Sequence, residues 1–101
     1  MFPIIFTPAA RAELIEAQDW YEAESPGLGR RFRAAIEALT ERMSANPAQF
    51  PFALKNVRRA LVQRFPYMLF FVVEEDGFLL VIACFHASRD PRRWQERGGT
   101  G

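Results

Sequence analysis

A chain of 101 residues, 50% of them hydrophobic and 14% aromatic, with a formal net charge of +1, has the make-up of one compact globular domain. That size excludes a second independent core, and that charge excludes a uniformly basic coat for nucleic acid. A single cysteine, Cys84, excludes an intrachain disulfide; the sequence lacks a secretory signal pattern, and no apolar run approaches the roughly 20 residues that span a bilayer. The expectation is a soluble cytoplasmic protein with no membrane contact, one domain over residues 1–97 and a frayed tail over 98–101.

Phe2 to Phe6 is a short β-type run with Pro3 inside it. Proline has no amide hydrogen to give a ladder, so this strand is expected at a sheet edge. Thr7 and Pro8 predict a helix start, a hydroxyl N-cap followed by proline at the first helical position. Ala10, Leu14, Ala17 and Tyr21 then fall on one stripe at helical spacing, with Trp20 beside them and Ile15 off it. The polar face is acidic through Glu13, Glu16, Asp19 and Glu22. Ser25-Pro26-Gly27 breaks this helix and predicts a second start by the same device, Ser25 as N-cap. So short a connection makes the two helices an antiparallel hairpin. In the second helix Leu28, Phe32, Ala35, Ile36, Leu39 and Met43 form the core-facing arc, while Arg30, Arg31 and Arg33 begin the exposed side. Asn46-Pro47 ends it, because a residue before proline is pushed out of the helical region.

Ala48 to Ala53 reads as a loop. Asn56 to Phe65 alternates as a strand does, with Arg58, Ala60, Val62 and Arg64 on one face and Val57, Arg59, Leu61 and Phe65 on the other. Pro66 turns the chain into Tyr67 to Val73, and Asp76-Gly77 joins that run to Phe78 to Phe85 as a hairpin turn. Both runs are apolar at every position, so both faces of the sheet must be covered. After His86 the chain leaves the sheet, and Asp90-Pro91 predicts the cap and first turn of a short helix carrying Trp94. The order is β-α-α-β-β-β-α, an α+β fold with an antiparallel sheet and a two-helix hairpin packed on one face. The other face is left for the C-terminal segment, a second copy or a different chain to close.

The chain has no metal-ligand spacing, glycine-rich phosphate loop or nucleophilic triad, and no cofactor is expected. Charge is uneven: Lys55 to Arg64 carries four bases and no acid. Arg58, Arg64 and Arg89 are candidate phosphate-binding cations, because guanidinium meets phosphate in two-pronged geometry. His86, the only histidine, is a candidate acid or base. Each has a structural alternative. Strand arginines also solvate a sheet edge and resist edge-to-edge pairing, Arg89 can brace the turn at Asp90, and a histidine at a strand end can be a hydrogen-bonding residue. Trp94 is either a plug for the second core or a platform for a base.

Taken together, the motifs resemble a known family. Glu13 to Glu22 ending in Trp20-Tyr21-Glu22, Ser25-Pro26 followed by Arg31-Phe32, Arg64-Phe65-Pro66-Tyr67, Asp76-Gly77, and the run from His86 through Arg89-Asp90-Pro91 to Trp94 are similar in order and spacing to the RelE/ParE toxin superfamily of type II toxin-antitoxin modules. The resemblance implies a bacterial toxin neutralised by a cognate antitoxin that wraps it with helices or an extended segment. It also implies one of two modes. RelE-like members cut messenger RNA in the ribosome without a metal; ParE-like members inhibit DNA gyrase. The nuclease mode would draw on Arg58, Arg64 and Arg89 for charge and on His86 with Arg64 for catalysis. Trp94 stands where RNA-cleaving relatives place a tail tyrosine, which favours the ParE-like mode, with Arg58, Arg64, Arg89, Arg92 and Trp94 as target-binding residues. A relative that binds an antitoxin without being toxic is the third reading.

Overall fold

The computed structural model describes residues 1–98. They run in the order β1 (Ile4–Phe6), α1 (Pro8–Glu24), α2 (Leu28–Ala45), β2 (Phe52–Leu54), β3 (Val57–Leu61), β4 (Tyr67–Val73), β5 (Leu79–His86) and α3 (Arg92–Gly98). Of the tail expected to fray, Gly98 closes α3 and 99–101 lie outside the described residues.

Thr7 caps α1 as its position predicts: Oγ1 accepts from the Ala10 amide at 3.1 Å, and Pro8 occupies the first turn. The buried residues of α1 are Ala10, Leu14, Ala17 and Tyr21, the anticipated stripe. The start of α2 differs from expectation. Ser25 is extended and ends α1, while Gly27, at φ +88°, is the N-cap of α2. The free amides there are taken by a carboxylate from the preceding helix: Glu22 accepts from Gly27 at 2.9 Å and from Gly29 at 3.0 Å. A negative group at a helix N-terminus also suits the macrodipole. Gly29 is required by the close helix crossing, since a Cβ there would stand 2.7 Å from the Gln18 carbonyl oxygen.

The five strands form one sheet in the order β1-β5-β4-β3-β2. The β3-β4-β5 meander is antiparallel, with Gly77 at φ +87° in the β4–β5 turn. At the edge, however, β1 pairs with β5 in parallel, Ile4 opposite Leu79 and Phe6 opposite Val81, so the sheet is mixed rather than wholly antiparallel. The cause lies in β2, a segment expected to be loop. It pairs antiparallel with β3 and adds one reversal of chain direction between β1 and β5. Within β5, Phe70 faces Ala83 and Phe71 faces Val81, leaving Ile82 as an extra residue in a β-bulge.

Two cores result. The helical hairpin packs Leu14, Phe32, Ile36 and Leu39 onto Leu69, Phe71, Leu79, Val81 and Cys84. On the opposite face Trp94 of α3 joins Val57, Phe70, Ile82, Ala83 and Phe85. The Trp94 and Phe70 rings stack at 3.8 Å with 14° between their planes, so the C-terminal segment closes this part of the second face. Burial on both sides is why these strands are apolar at every position.

Candidate functional site

The end of β5 turns into the α3 cap between two clefts, and His86 and Arg89 line both. The larger, about 500 Å³, lies against α1 and is walled by Glu16, Trp20, Tyr67, His86, Ser88 and Arg89. His86 is held locally. Its Nδ1 accepts from the Ser88 amide at 3.0 Å and lies 2.8 Å from Ser88 Oγ, and its ring meets Tyr67 edge-on at 5.0 Å. An amide nitrogen can only donate, so Nδ1 is the acceptor and the neutral ring carries its proton on Nε2. Burial pushes the Tyr67 phenol above its ordinary range and the Cys84 thiol up to about 12, so neither ionises near neutral pH. Arg89 stands 4.0 Å from Glu16, a loose exposed pair. The smaller cleft, about 360 Å³, lies on the α3 side and adds Arg59, Met68 and Trp94 to its wall.

The other predicted residues sit elsewhere. Arg58 donates to the Phe50 carbonyl at 2.6 Å and lies 3.9 Å from the Phe52 ring centroid, binding β2 and its approach to β3. Arg64 was expected on the same strand face as Arg58. The strand ends at Leu61, and Arg64 sits in the β3–β4 turn at φ +70°, lining a third groove against α2. Arg92 grips its own helix cap: Nη2 is 2.7 Å and Nε 3.0 Å from Asp90 Oδ2. That contact, together with the Arg92 amide, holds the Asp90 carboxyl below its ordinary range. Trp94 borders the smaller cleft but is only 4% exposed, one ring face being taken by Phe70. The candidate set is thus dispersed: His86, Arg89 and Trp94 border the smaller cleft, while Arg58, Arg64 and Arg92 lie in three other places.

A family model described as the ParE toxin of type II toxin-antitoxin system, parDE, matches residues 4–91. The chain belongs to the ParE toxin family. The resemblance to the RelE/ParE superfamily read from the motifs is thereby borne out, as is its α+β architecture. Among solved structures, one titled "Chromosomal ParDE TA system from P. aeruginosa" is similar at a TM-score of 0.75 and 18% identity, covering 87% of this chain and 98% of that chain. At that identity the likeness carries the fold alone. No curated protein matches the sequence.

In this ParE family member two residues outside the predicted site prove central to its scaffold. Glu13, read from sequence as part of a solvated face, accepts from both Arg97 Nη1 at 3.0 Å and Arg97 Nη2 at 2.9 Å, and from the Cys84 amide at 3.0 Å. Arg97 also donates to the Ile82 carbonyl at 3.1 Å. Together they satisfy backbone groups of β5 beyond the point where β1 stops pairing. Only the acid at the α1 position and the late arginine were visible beforehand, with nothing local to join them. Among the described residues no group of His, Cys, Asp or Glu is arranged to hold a metal ion, and no helix is long and apolar enough to cross a membrane.

Proposed function

We propose that this chain is the toxin of a bacterial pair, held inactive in the cytoplasm by a cognate antitoxin, and that it acts by binding DNA gyrase rather than by cutting RNA. The toxin-antitoxin part follows from family membership. What supports binding over catalysis is the dispersal of the four groups on which metal-free RNA cleavage would draw. That reaction needs a base for the 2′-hydroxyl, an acid for the leaving 5′-oxygen and cations for charge at phosphorus, all converging within hydrogen-bond reach. Here Arg58 holds β2, Arg64 faces α2, and His86 spends Nδ1 on Ser88 with Arg89 as its only candidate cation nearby.

The test is supercoiling of relaxed plasmid by purified gyrase with the purified chain added. Inhibition, with translated messages left intact in cells expressing the chain, is the expected result. Full supercoiling together with codon-positioned cuts in messages would sink the proposal. Co-expression of the neighbouring reading frame is expected to restore growth, and His86→Ala is expected to leave toxicity in place.

A further inference from the structure

We propose that the cleft between α1 and the end of β5 binds the guanine base of a free nucleoside. The inference goes beyond the gyrase reading and stands or falls without it, because it concerns a small ligand rather than a macromolecular target. At about 500 Å³ the cleft is in the size range of small-molecule sites, and its wall joins one exposed aromatic ring to two groups of opposite charge. Trp20, 58% exposed, is the ring; Glu16 and Arg89 are the charges, both exposed. Glu13 also borders the cleft, but both of its oxygens are taken by Arg97 and one by the Cys84 amide as well. Glu16 is the acid that faces a ligand.

Spacing on α1 sets the ring beside the carboxylate. Glu16 and Trp20 stand at i and i+4, on one helix face and about 6 Å apart along the axis, so a base stacked on the indole brings its edge to the carboxylate. Arg89 Nη2 lies 4.0 Å from Glu16 Oε1, too far for a tight ion pair but close enough to put a donor directly beside an acceptor. With Glu16 Oε2 as the next acceptor, the wall reads donor, acceptor, acceptor, the order that cytosine presents across a base pair. Guanine carries the complement, O6 as acceptor followed by the N1–H and N2 amine donors, and its N7 is a further acceptor for the two-pronged guanidinium. Adenine has the first two positions reversed: its N6 amine would meet the guanidinium and its N1 the carboxylate. Charge favours a free nucleoside over a strand. With Glu13 neutralised by Arg97, the wall holds one cation and one anion, and Arg89 is engaged by the base, so a run of phosphates would find no cation there.

The test is a titration of the isotope-labelled full chain with guanosine, followed by tryptophan emission and amide resonances together. Inosine, adenosine and an oligothymidylate carrying a single guanine serve as comparators. Trp94 is buried against Phe70, so the ligand-dependent change in emission comes from Trp20. The expected result is saturable quenching with half-saturation below about 1 mM guanosine, accompanied by amide shifts at Ala17, Trp20, Ser88 and Arg89. Inosine lacks the N2 amine and should bind more weakly, and adenosine at least about tenfold more weakly, because each leaves polar groups of the wall unpaired. Glu16→Gln keeps the size of the side chain but replaces one acceptor by a donor, and should weaken guanosine about tenfold. Glu16 is exposed, so this variant keeps its fold, and its own amide spectrum verifies that. The proposal is overturned if guanosine moves neither emission nor the cleft amides by about millimolar concentration. Equal binding of adenosine, undiminished binding by Glu16→Gln, quenching that persists in Trp20→Phe, or tighter binding of the oligothymidylate than of guanosine overturns it as well. A failed gyrase assay leaves all of these readings unchanged.

Discussion

Glu13 and Arg97, 84 positions apart in the chain, meet in a two-pronged ion pair that ties α1 to α3 across the end of the sheet. The pair is partly shielded, with side-chain exposures of 15% for Glu13 and 28% for Arg97. Glu13→Ala removes the acceptor for the Cys84 amide as well as for the guanidinium, and is expected to cost about 2 kcal/mol. Urea denaturation measures it. A double-mutant cycle with Arg97→Met should return a coupling of about 1 kcal/mol or more; strict additivity would count against the pair.

Trp94 gives the largest expected loss. Its removal empties the middle of the second core and strands Phe70, so Trp94→Ala should destabilise the chain by about 3–5 kcal/mol. Trp20 is 58% exposed, so in a Trp20→Phe background the remaining indole fluorescence should be blue-shifted in the native state and move red on unfolding. Native emission at the wavelength of free tryptophan would refute the packing.

Glu22 gives a pH signature. The Gly27 amide first, then the amides of Gly29 and Arg30 and the Arg30 charge, hold its carboxyl below the ordinary value of 4.5. A carboxyl whose folded pKa is depressed contributes stability that is present above the unfolded pKa and lost as pH falls through the folded one. Wild type should therefore lose an increment below about pH 4.5 that Glu22→Gln never had, and the two denaturation midpoints should converge in acid. Midpoints that stay parallel across that range would refute the cap. Gly29→Ala, ordinarily favourable inside a helix, should destabilise here because of the Gln18 carbonyl.

The two turns of the meander predict opposite signs. Arg64 holds φ +70° with a side chain that disfavours it, so Arg64→Gly should leave stability unchanged or raise it by up to about 1 kcal/mol. Gly77 holds φ +87° in open space, so Gly77→Ala should cost about 1 kcal/mol through the backbone alone. Thermal midpoints compared under one buffer decide both.

Much of this architecture was legible beforehand because its signals are local and periodic. The stripes of α1 and α2, the Asp76-Gly77 turn and the Asp90 cap with Pro91 each depend on residues within a turn or two of each other. What escaped depends on distance or on very short elements. β2 has three residues, too few to show alternation, and exists because β3 pairs with it. The parallel setting of β1 depended on counting that strand. Ser25 carried the cap signature of α2, yet a carboxylate one helix back supplied the contact. For the site, the arginines were readable as exposed cations but not which groove each would line. Arg64 was misplaced because alternation through Val62 gave no warning of a left-handed turn two residues later.

The extra residue at Ile82 has a consequence for insertions and deletions in this family. Side chains of a strand alternate, so a single surplus residue changes parity: Ile82 and Ala83 both join the α3 core, and from there on odd and even positions exchange roles. Cys84 thereby comes to lie under the helical hairpin and Phe85 against Trp94. Removing Ile82 itself would therefore restore plain alternation and leave Cys84 under the hairpin and Phe85 on the α3 side, whereas losing a residue elsewhere in β5 with the bulge kept would turn one part of the strand inside out.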